Sequence, residues 1–361
     1  MASAVPQLEM KTNFITLALV FLACPLFPQD APDHMGMNAD NMTVLHPEEK
    51  VVIPTESNRP IYQPARCDAD GNVYFRGYQS DDRRVPITRV DGKGGTLKYS
   101  LDSDPTLSQG ASYDFSLLPN GNLYQPVQVK EDVFIVAFSR DSNIRWKAKL
   151  DQQFWVAHLT ALSDKSFLVS GTEPQTPSQR QERQPPRLFL ALFDDHGHMV
   201  RRISLQSDDP SNPAPAQKNY TAKNDPTKEM PFLPVLEGDA QTDVNGYVYL
   251  SLRSNPVVIY VLDPSGQTVR SFPVNPPEPR MSFSSMGLAK DRLAISFREI
   301  FRGMEHHNMA IVTVNASTGA VIGRYSVEAE PGTVLACHTP NQFLFIGSDK
   351  SNLAIFHASL K

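Results

Sequence analysis

Residues 68–75 read Asp68-Ala69-Asp70-Gly71-Asn72-Val73-Tyr74-Phe75. Asp-Gly-Asn accepts the positive φ that a tight hairpin turn demands, and the β-branched and aromatic residues behind it favour an extended strand. The signal recurs along the chain. Asn120-Gly121-Asn122 precedes LYQPV, Asp164-Lys165-Ser166 precedes FLVS, and Asn245-Gly246-Tyr247 precedes VYLSL. Fainter copies are Lys290-Asp291-Arg292 before LAISF and Pro340-Asn341-Gln342 before FLFIG. The first residues of these six turns lie 50, 44, 81, 45 and 50 positions apart.

A second turn follows each of the first five: Val90-Asp91-Gly92, Arg140-Asp141-Ser142-Asn143, Asp194-Asp195-His196-Gly197, Asp263-Pro264-Ser265-Gly266 and Asn315-Ala316-Ser317-Thr318-Gly319. An apolar run precedes each (PITRV, FIVAF, LFLALF, VVIYVL, MAIVTV) and an alternating strand follows (TLKYSL, IRWKAKL, MVRRISL, TVRSFPV, AVIGRYSV). Each unit is therefore strand A, turn, strand B, loop, strand C, turn, strand D. Four antiparallel strands at a period near 50 predict an all-β chain of propeller blades. The sixth unit has strands TVLAC, QFLFIGS and NLAIFHASL and no fourth. The unpaired run Lys50-Val51-Val52-Ile53-Pro54 ahead of the first unit supplies it, closing a six-bladed ring over residues 46–361 and removing an exposed sheet edge. Proline at Pro54 suits such an outer strand. The 81-residue gap has room for a seventh blade. Residues 207–236 within it are polar, proline-rich and without strand alternation, so they read as a loop between blades 3 and 4. A second insertion, residues 173–186, separates strands B and C of blade 3.

These motifs resemble the six-bladed β-propellers of the NHL-repeat and TolB-like group. The resemblance spans about 315 residues and rests on turn chemistry. It implies that the loops from D to the next A, and from B to C, gather on one face around the channel and take ligands there.

The composition agrees with a folded, loop-rich chain. The 361 residues carry a net charge of −5, with 40% hydrophobic and 20% charged residues, which excludes a wholly disordered chain, a polytopic membrane protein and a basic nucleic-acid coat. Thirty prolines are about 8% of the chain, against a usual ~5%, so helix interiors must be few. No nucleic-acid partner and a monomeric state are expected.

At the N-terminus, Lys11 is followed by an eleven-residue apolar run, Phe14–Cys24, too short to span a bilayer and the length of a signal-peptide core. Residues 1–24 are read as a signal peptide, with Met10 as an alternative start. Phe21-Leu22-Ala23-Cys24 resembles a lipobox, although Phe21 stands where leucine is preferred and Pro25 follows the cysteine. Residues 25–45 are read as a flexible leader. The expectation is an exported protein of the periplasm or envelope, touching the membrane only through a lipid on Cys24.

Candidate binding residues are those just ahead of each strand A: Arg59 and Tyr62, Tyr113 and Asp114, Phe154, Trp155 and His158, Glu237 and Asp239, and Arg280 with Met281. Arg59, Tyr62, Tyr113, Trp155, His158, Asp239 and Arg280 form the binding set, because Tyr, Trp and Arg dominate recognition surfaces. The competing reading is that the aromatics pack between blades and the charges are solvated. No GxSxG, HExxH, P-loop or dinucleotide fingerprint occurs, so no catalytic residue, metal ligand or cofactor is assigned. His306-His307 beside Glu305 reads as a solvated loop pair. Cys67 and Cys337 each stand three residues before a first-turn residue, in blades that are neighbours across the closure. That slot holds Leu117, Ala161, Thr242 and Gly287 elsewhere, so two readings stand: small inner-strand residues, or a disulfide if the Cα atoms come within about 7 Å.

The reading is an exported propeller that binds a protein, peptide or glycan on its loop-rich face. The alternative is a metal-dependent hydrolase or lyase in the channel, recruiting Asp68, Asn224, Glu237 and Asp243 or the histidines His158 and His338.

Overall fold

Many of the turns are held by a side chain at their own start. In the computed structural model, Asp68 Oδ1 accepts the amides of Asp70 and Asn72, both at 3.0 Å, and Asp243 Oδ1 accepts those of Asn245 and Tyr247 at 2.8 and 2.9 Å. Asp91, Asp194 and Asp263 do the same in C–D turns, which pins each hairpin with bonds made within four residues. The structure describes residues 42–53, 61–77, 85–112, 114–182, 188–203, 205, 238–252, 255–299, 309–328, 332–349 and 352–360.

Two short strands come first, β1 (Thr43–Leu45) and β2 (Glu48–Ile53). Blade 1 is β3 (Ile61–Cys67), β4 (Val73–Gly77), β5 (Ile87–Val90) and β6 (Thr96–Tyr99). Blade 2 is β7 (Ser116–Leu117), β8 (Leu123–Val129), β9 (Asp132–Phe138) and β10 (Ile144–Lys149). Blade 3 is β11 (Trp155–Ser163), β12 (Ser166–Thr172), β13 (Leu188–Asp194) and β14 (Met199–Arg202). Blade 4 is β15 (Asp239–Thr242), β16 (Val248–Leu252), β17 (Val257–Leu262) and β18 (Thr268–Val274). Blade 5 is β19 (Met281–Ala289), β20 (Arg292–Glu299), β21 (Met309–Asn315) and β22 (Val321–Val327). Blade 6 is β23 (Val334–Thr339), β24 (Gln342–Asp349) and β25 (Asn352–Ser359), completed by β2. The chain is therefore a six-bladed β-propeller closed by an N-terminal strand, as its repeats predict.

The closure is antiparallel: Val51, Val52 and Ile53 pair with Ile355, Ala354 and Leu353. One difference lies just upstream. The last residues of the expected leader, Thr43–Leu45, form β1, which runs parallel to β22 and makes blade 5 five-stranded. Leu45 is buried between blades 5 and 6, and that burial holds the segment in place. Three residues are too few for alternation to reveal a strand.

There is no single core. Six apolar clusters fill the six interfaces between neighbouring blades, including that between blades 6 and 1. Middle strands are buried on both faces, so β17 reads VVIYVL without alternation, whereas outer strands such as β6 and β14 expose half or more of their residues. Close approach between blades demands glycine at Gly197. Its φ is +85°, and a Cβ there would lie 2.1 Å from the Lys149 carbonyl oxygen of blade 2.

In the blade 3 insertion, residues 177–181 form the short helix α1 (Pro177–Gln181). Thr176 and Gln179 cap it reciprocally, the Gln179 amide donating to Thr176 Oγ1 and the Thr176 amide to Gln179 Oε1. Among the described residues no helix is long and apolar enough to cross a membrane. The signal peptide, residues 25–41 of the leader, Pro54, residues 206–237 and the His306-His307 pair lie outside the described residues.

Candidate functional site

The innermost strands β3, β7, β11, β15, β19 and β23 surround the channel, and polar side chains tie β7 to β11, β11 to β15, β15 to β19 and β19 to β23. Asp114, just ahead of β7, accepts the Leu159 amide of β11 at 2.9 Å, and Ser116 accepts that of Ala161 at 2.9 Å. Thr242 of β15 donates to the Ala161 carbonyl at 2.7 Å, and Gln241 to that of Met286 in β19 at 3.0 Å. Ser285 donates to Leu335 of β23 at 3.4 Å. The belt extends covalently to β3, because Cys67 of β3 and Cys337 of β23 form a disulfide with their Cα atoms 5.8 Å apart. Of the two readings of that cysteine slot, the structure takes the bridge.

One interaction crosses the ring. Arg66 of blade 1 reaches Asp239 of blade 4, Nη2 to Oδ1 at 2.6 Å and Nη1 to Oδ2 at 3.1 Å, with both side chains about nine-tenths buried. Asp239 also accepts the amides of Ala240 at 2.7 Å and Met286 at 3.0 Å. Burial lowers the Arg66 pKa, but the adjacent Asp239 charge outweighs it and holds the guanidinium firmly protonated.

Beside this bridge lies a small cavity between blades 3 and 4. Its polar lining is Arg66, Asp114, His158, Thr160, Ser170 and Asp239, and Leu168, Leu190 and Leu250 supply an apolar wall. The room is on the order of one water-sized group. Burial pushes the Asp114 carboxyl up. The bond to His158 Nδ1 at 3.3 Å, the His158 and Arg66 charges and the Leu159 amide together outweigh it and hold the carboxyl below the usual range. Asp114 Oδ2 takes both of these contacts, whereas Oδ1 is buried and has no hydrogen-bond partner among the described residues.

The expected binding residues part company here. His158 and Asp239 meet in this cavity. Trp155 opens β11 on the side of the D–A loops and is 53% exposed. Its backbone sits against Gly171, where a Cβ would lie 2.0 Å from the Trp155 carbonyl oxygen, so only glycine admits the bulge between Val156 and His158. Arg280 is exposed just ahead of β19. Phe154 and Met281 are core residues instead, Phe154 stacking on Phe189 with centroids 4.1 Å apart. The Arg59 and Tyr113 positions, Glu237 and the Tyr62 side chain lie outside the described residues.

Arg66, Thr160 and Ser170 are absent from the sequence-derived set. A signal for Arg66 exists: immediately before the cysteine slot the six blades carry Arg66, Ser116, Thr160, Gln241, Met286 and Ala336, and only one of these is charged. Counting three back from the same slot gives Pro64, Asp114, His158, Asp239, Ser284 and Val334, which puts the ionisable residues on consecutive blades.

Two of the carboxylates recruited for a channel metal have other work. Asp68 and Asp243 hold turns, Asp68 also accepting from Tyr74 at 3.1 Å. His338 is buried against Phe343. Among the described residues no three His, Cys, Asp or Glu side chains are grouped to hold a metal ion.

No protein-family model matches the chain, and neither does any curated protein. Solved structures do resemble it. A candidate gluconolactonase aligns over 89% of this chain and 96% of its own, at 12% identity and a TM-score of 0.44. A candidate TolB from Agrobacterium tumefaciens aligns over 85% and 92%, at 12% identity and 0.43. YCF48 bound to D1 peptide aligns over 87% and 95%, at 10% identity and 0.40. These likenesses are of fold alone.

Proposed function

We propose that this propeller is an exported binding module, and that a protein or peptide partner docks on the face carrying the D–A and B–C loops. The observation that carries the reading is Trp155. A large aromatic stands half exposed at the channel rim, on a bulge that Gly171 permits, next to His158 and the polar cavity. Exposed tryptophans on a rigid scaffold are favoured anchors of recognition. Arg66 and Asp239, by contrast, are spent on each other and on backbone amides, which suits anchoring better than proton transfer.

Export belongs to the same reading. The apolar run at residues 14–24 has signal-peptide length, and the Cys67–Cys337 bond persists in oxidising compartments. A lipid on Cys24 and membership of the NHL-repeat and TolB-like group are further parts of the proposal, resting on the lipobox-like and turn motifs respectively.

The test places a photo-crosslinking residue at position 155, and another at position 244. Val244 is 84% exposed in the A–B turn of blade 4, at the opposite end of the channel. A specific envelope adduct from position 155 and none from position 244 is expected, with Trp155→Ala weakening retention of the same partner at least ~10-fold. Equal crosslinking from both faces, or retention indifferent to Trp155, would overturn the reading.

A further inference from the structure

We propose that the C–D turn of blade 3 binds a divalent transition-metal ion of the copper, nickel and zinc kind through the side chains of His196 and His198. The turn joins the two outer strands of its blade, β13 and β14, so the site is separate from the channel and independent of the binding-module reading above.

The turn is held from both sides. Asp194 Oδ1 accepts the amides of both histidines, His196 at 2.9 Å and His198 at 2.8 Å. The Asp194 amide donates to the His198 carbonyl at 3.0 Å, and the amide of Asp151, just beyond β10, donates to the Gly197 carbonyl at 2.9 Å. Gly197 itself lies against the Lys149 carbonyl. Two histidines on a fixed backbone therefore flank one glycine, with side chains 75% and 68% exposed. Such side chains turn toward an ion without unpacking any core.

Geometry and charge choose the ligand. Asp194 Oδ2 lies 3.4 Å from His198 Nδ1, and Asp195 Oδ1 lies 3.6 Å from His196 Nδ1. A carboxylate on that side favours the tautomer with its proton on Nδ1, which leaves the Nε2 lone pair of each ring for a metal. The two ring centroids are 6.2 Å apart. Imidazole nitrogens bind these ions at about 2.0–2.1 Å, so two ligating rings have centroids roughly 4.5 Å apart at a right angle and roughly 6.4 Å apart in line. The observed spacing falls within that span. Imidazole suits copper, nickel and zinc, whereas calcium and magnesium demand oxygen ligands. Two protein ligands leave the other positions to water or to a donor from outside the chain, which agrees with the lack of any three-residue metal group among the described residues.

The experiment footprints the full chain, purified without a histidine tag, with diethyl pyrocarbonate and reads the modification of each histidine by mass spectrometry. At about pH 7.5 free imidazoles are neutral and reactive. Cu2+ should slow the modification of both His196 and His198, with half-protection on the order of 10 μM, and Zn2+ should need roughly 10-fold more. His46, whose side chain is 70% exposed and lies outside the turn, is the internal control and should react at an unchanged rate. His198→Ala should raise the half-protection concentration at His196 about 10-fold or more, and His196→Ala should do the same at His198, because each removes the chelate. Both side chains are exposed, so neither variant should unfold the chain. Protection of His196 that survives His198→Ala would overturn the proposal. So would equal protection by Ca2+, uniform slowing that includes His46, or no protection by Cu2+ below about 1 mM.

Discussion

Arg66 and Asp239 are 173 residues apart in the chain and meet through two hydrogen bonds of 2.6 and 3.1 Å, joining blades 1 and 4 across the channel. Removing one partner leaves the other charge buried and unpaired, which costs about 3–5 kcal/mol. Arg66→Ala and Asp239→Ala should each lower the urea midpoint accordingly. Arg66→Leu with Asp239→Leu should cost much less than the two single losses combined. Additive losses in the double variant would refute a coupled pair.

The disulfide closes a loop of 270 residues between the first and last blades. Chain-entropy arguments give such a long loop about 5 kcal/mol of stabilisation. Cys67→Ser with Cys337→Ser should therefore melt well below the parent. Denatured but unreduced protein should show neither thiol to an alkylating reagent by mass spectrometry, and both after reduction. Two alkylated cysteines without reductant would exclude the bond.

Ring closure is expected to depend on one face of β2. Ile53 is 1% exposed in the core between blades 6 and 1, while its neighbour Val52 is 39% exposed. Ile53→Ala should cost about 2–4 kcal/mol and Val52→Ala under about 0.5 kcal/mol, measured by denaturant unfolding. Similar costs at both positions would mean that β2 does not hold the register described.

His338 should make the fold acid-sensitive. Burial, with Arg292 nearby, pushes its pKa down to about 4 from the usual 6.5, and neither ring nitrogen has a hydrogen-bond partner among the described residues. The unfolded chain takes up a proton here as pH falls below 6.5, and the folded chain does so only near pH 4. Stability from this residue is therefore present above pH 6.5 and lost as pH drops through that window, by about 2 kcal/mol between pH 7 and pH 5. His338→Leu should flatten this part of the profile. A gap between wild type and variant that stays constant from pH 7 to pH 5 would contradict the assignment.

What the sequence determined by itself is local. An aspartate three residues ahead of a glycine accepts the turn's amides within four residues, so the turns at Asp68, Asp243 and Asp263 are legible one by one. Their spacing then counts the blades, and the incomplete sixth unit calls for the strand at Val51–Ile53, because an open sheet edge must be paired. Tertiary structure alone decided the rest. It joined Cys67 to Cys337 rather than leaving two small core residues, and it turned the end of the leader into β1. It also placed Arg66 opposite Asp239 and set Asp114, His158 and Ser170 around one cavity. Each of these contacts lies between blades, where partners are separated by tens to hundreds of residues. No turn propensity or alternation pattern encodes which inner-strand side chain will face which across a closed ring.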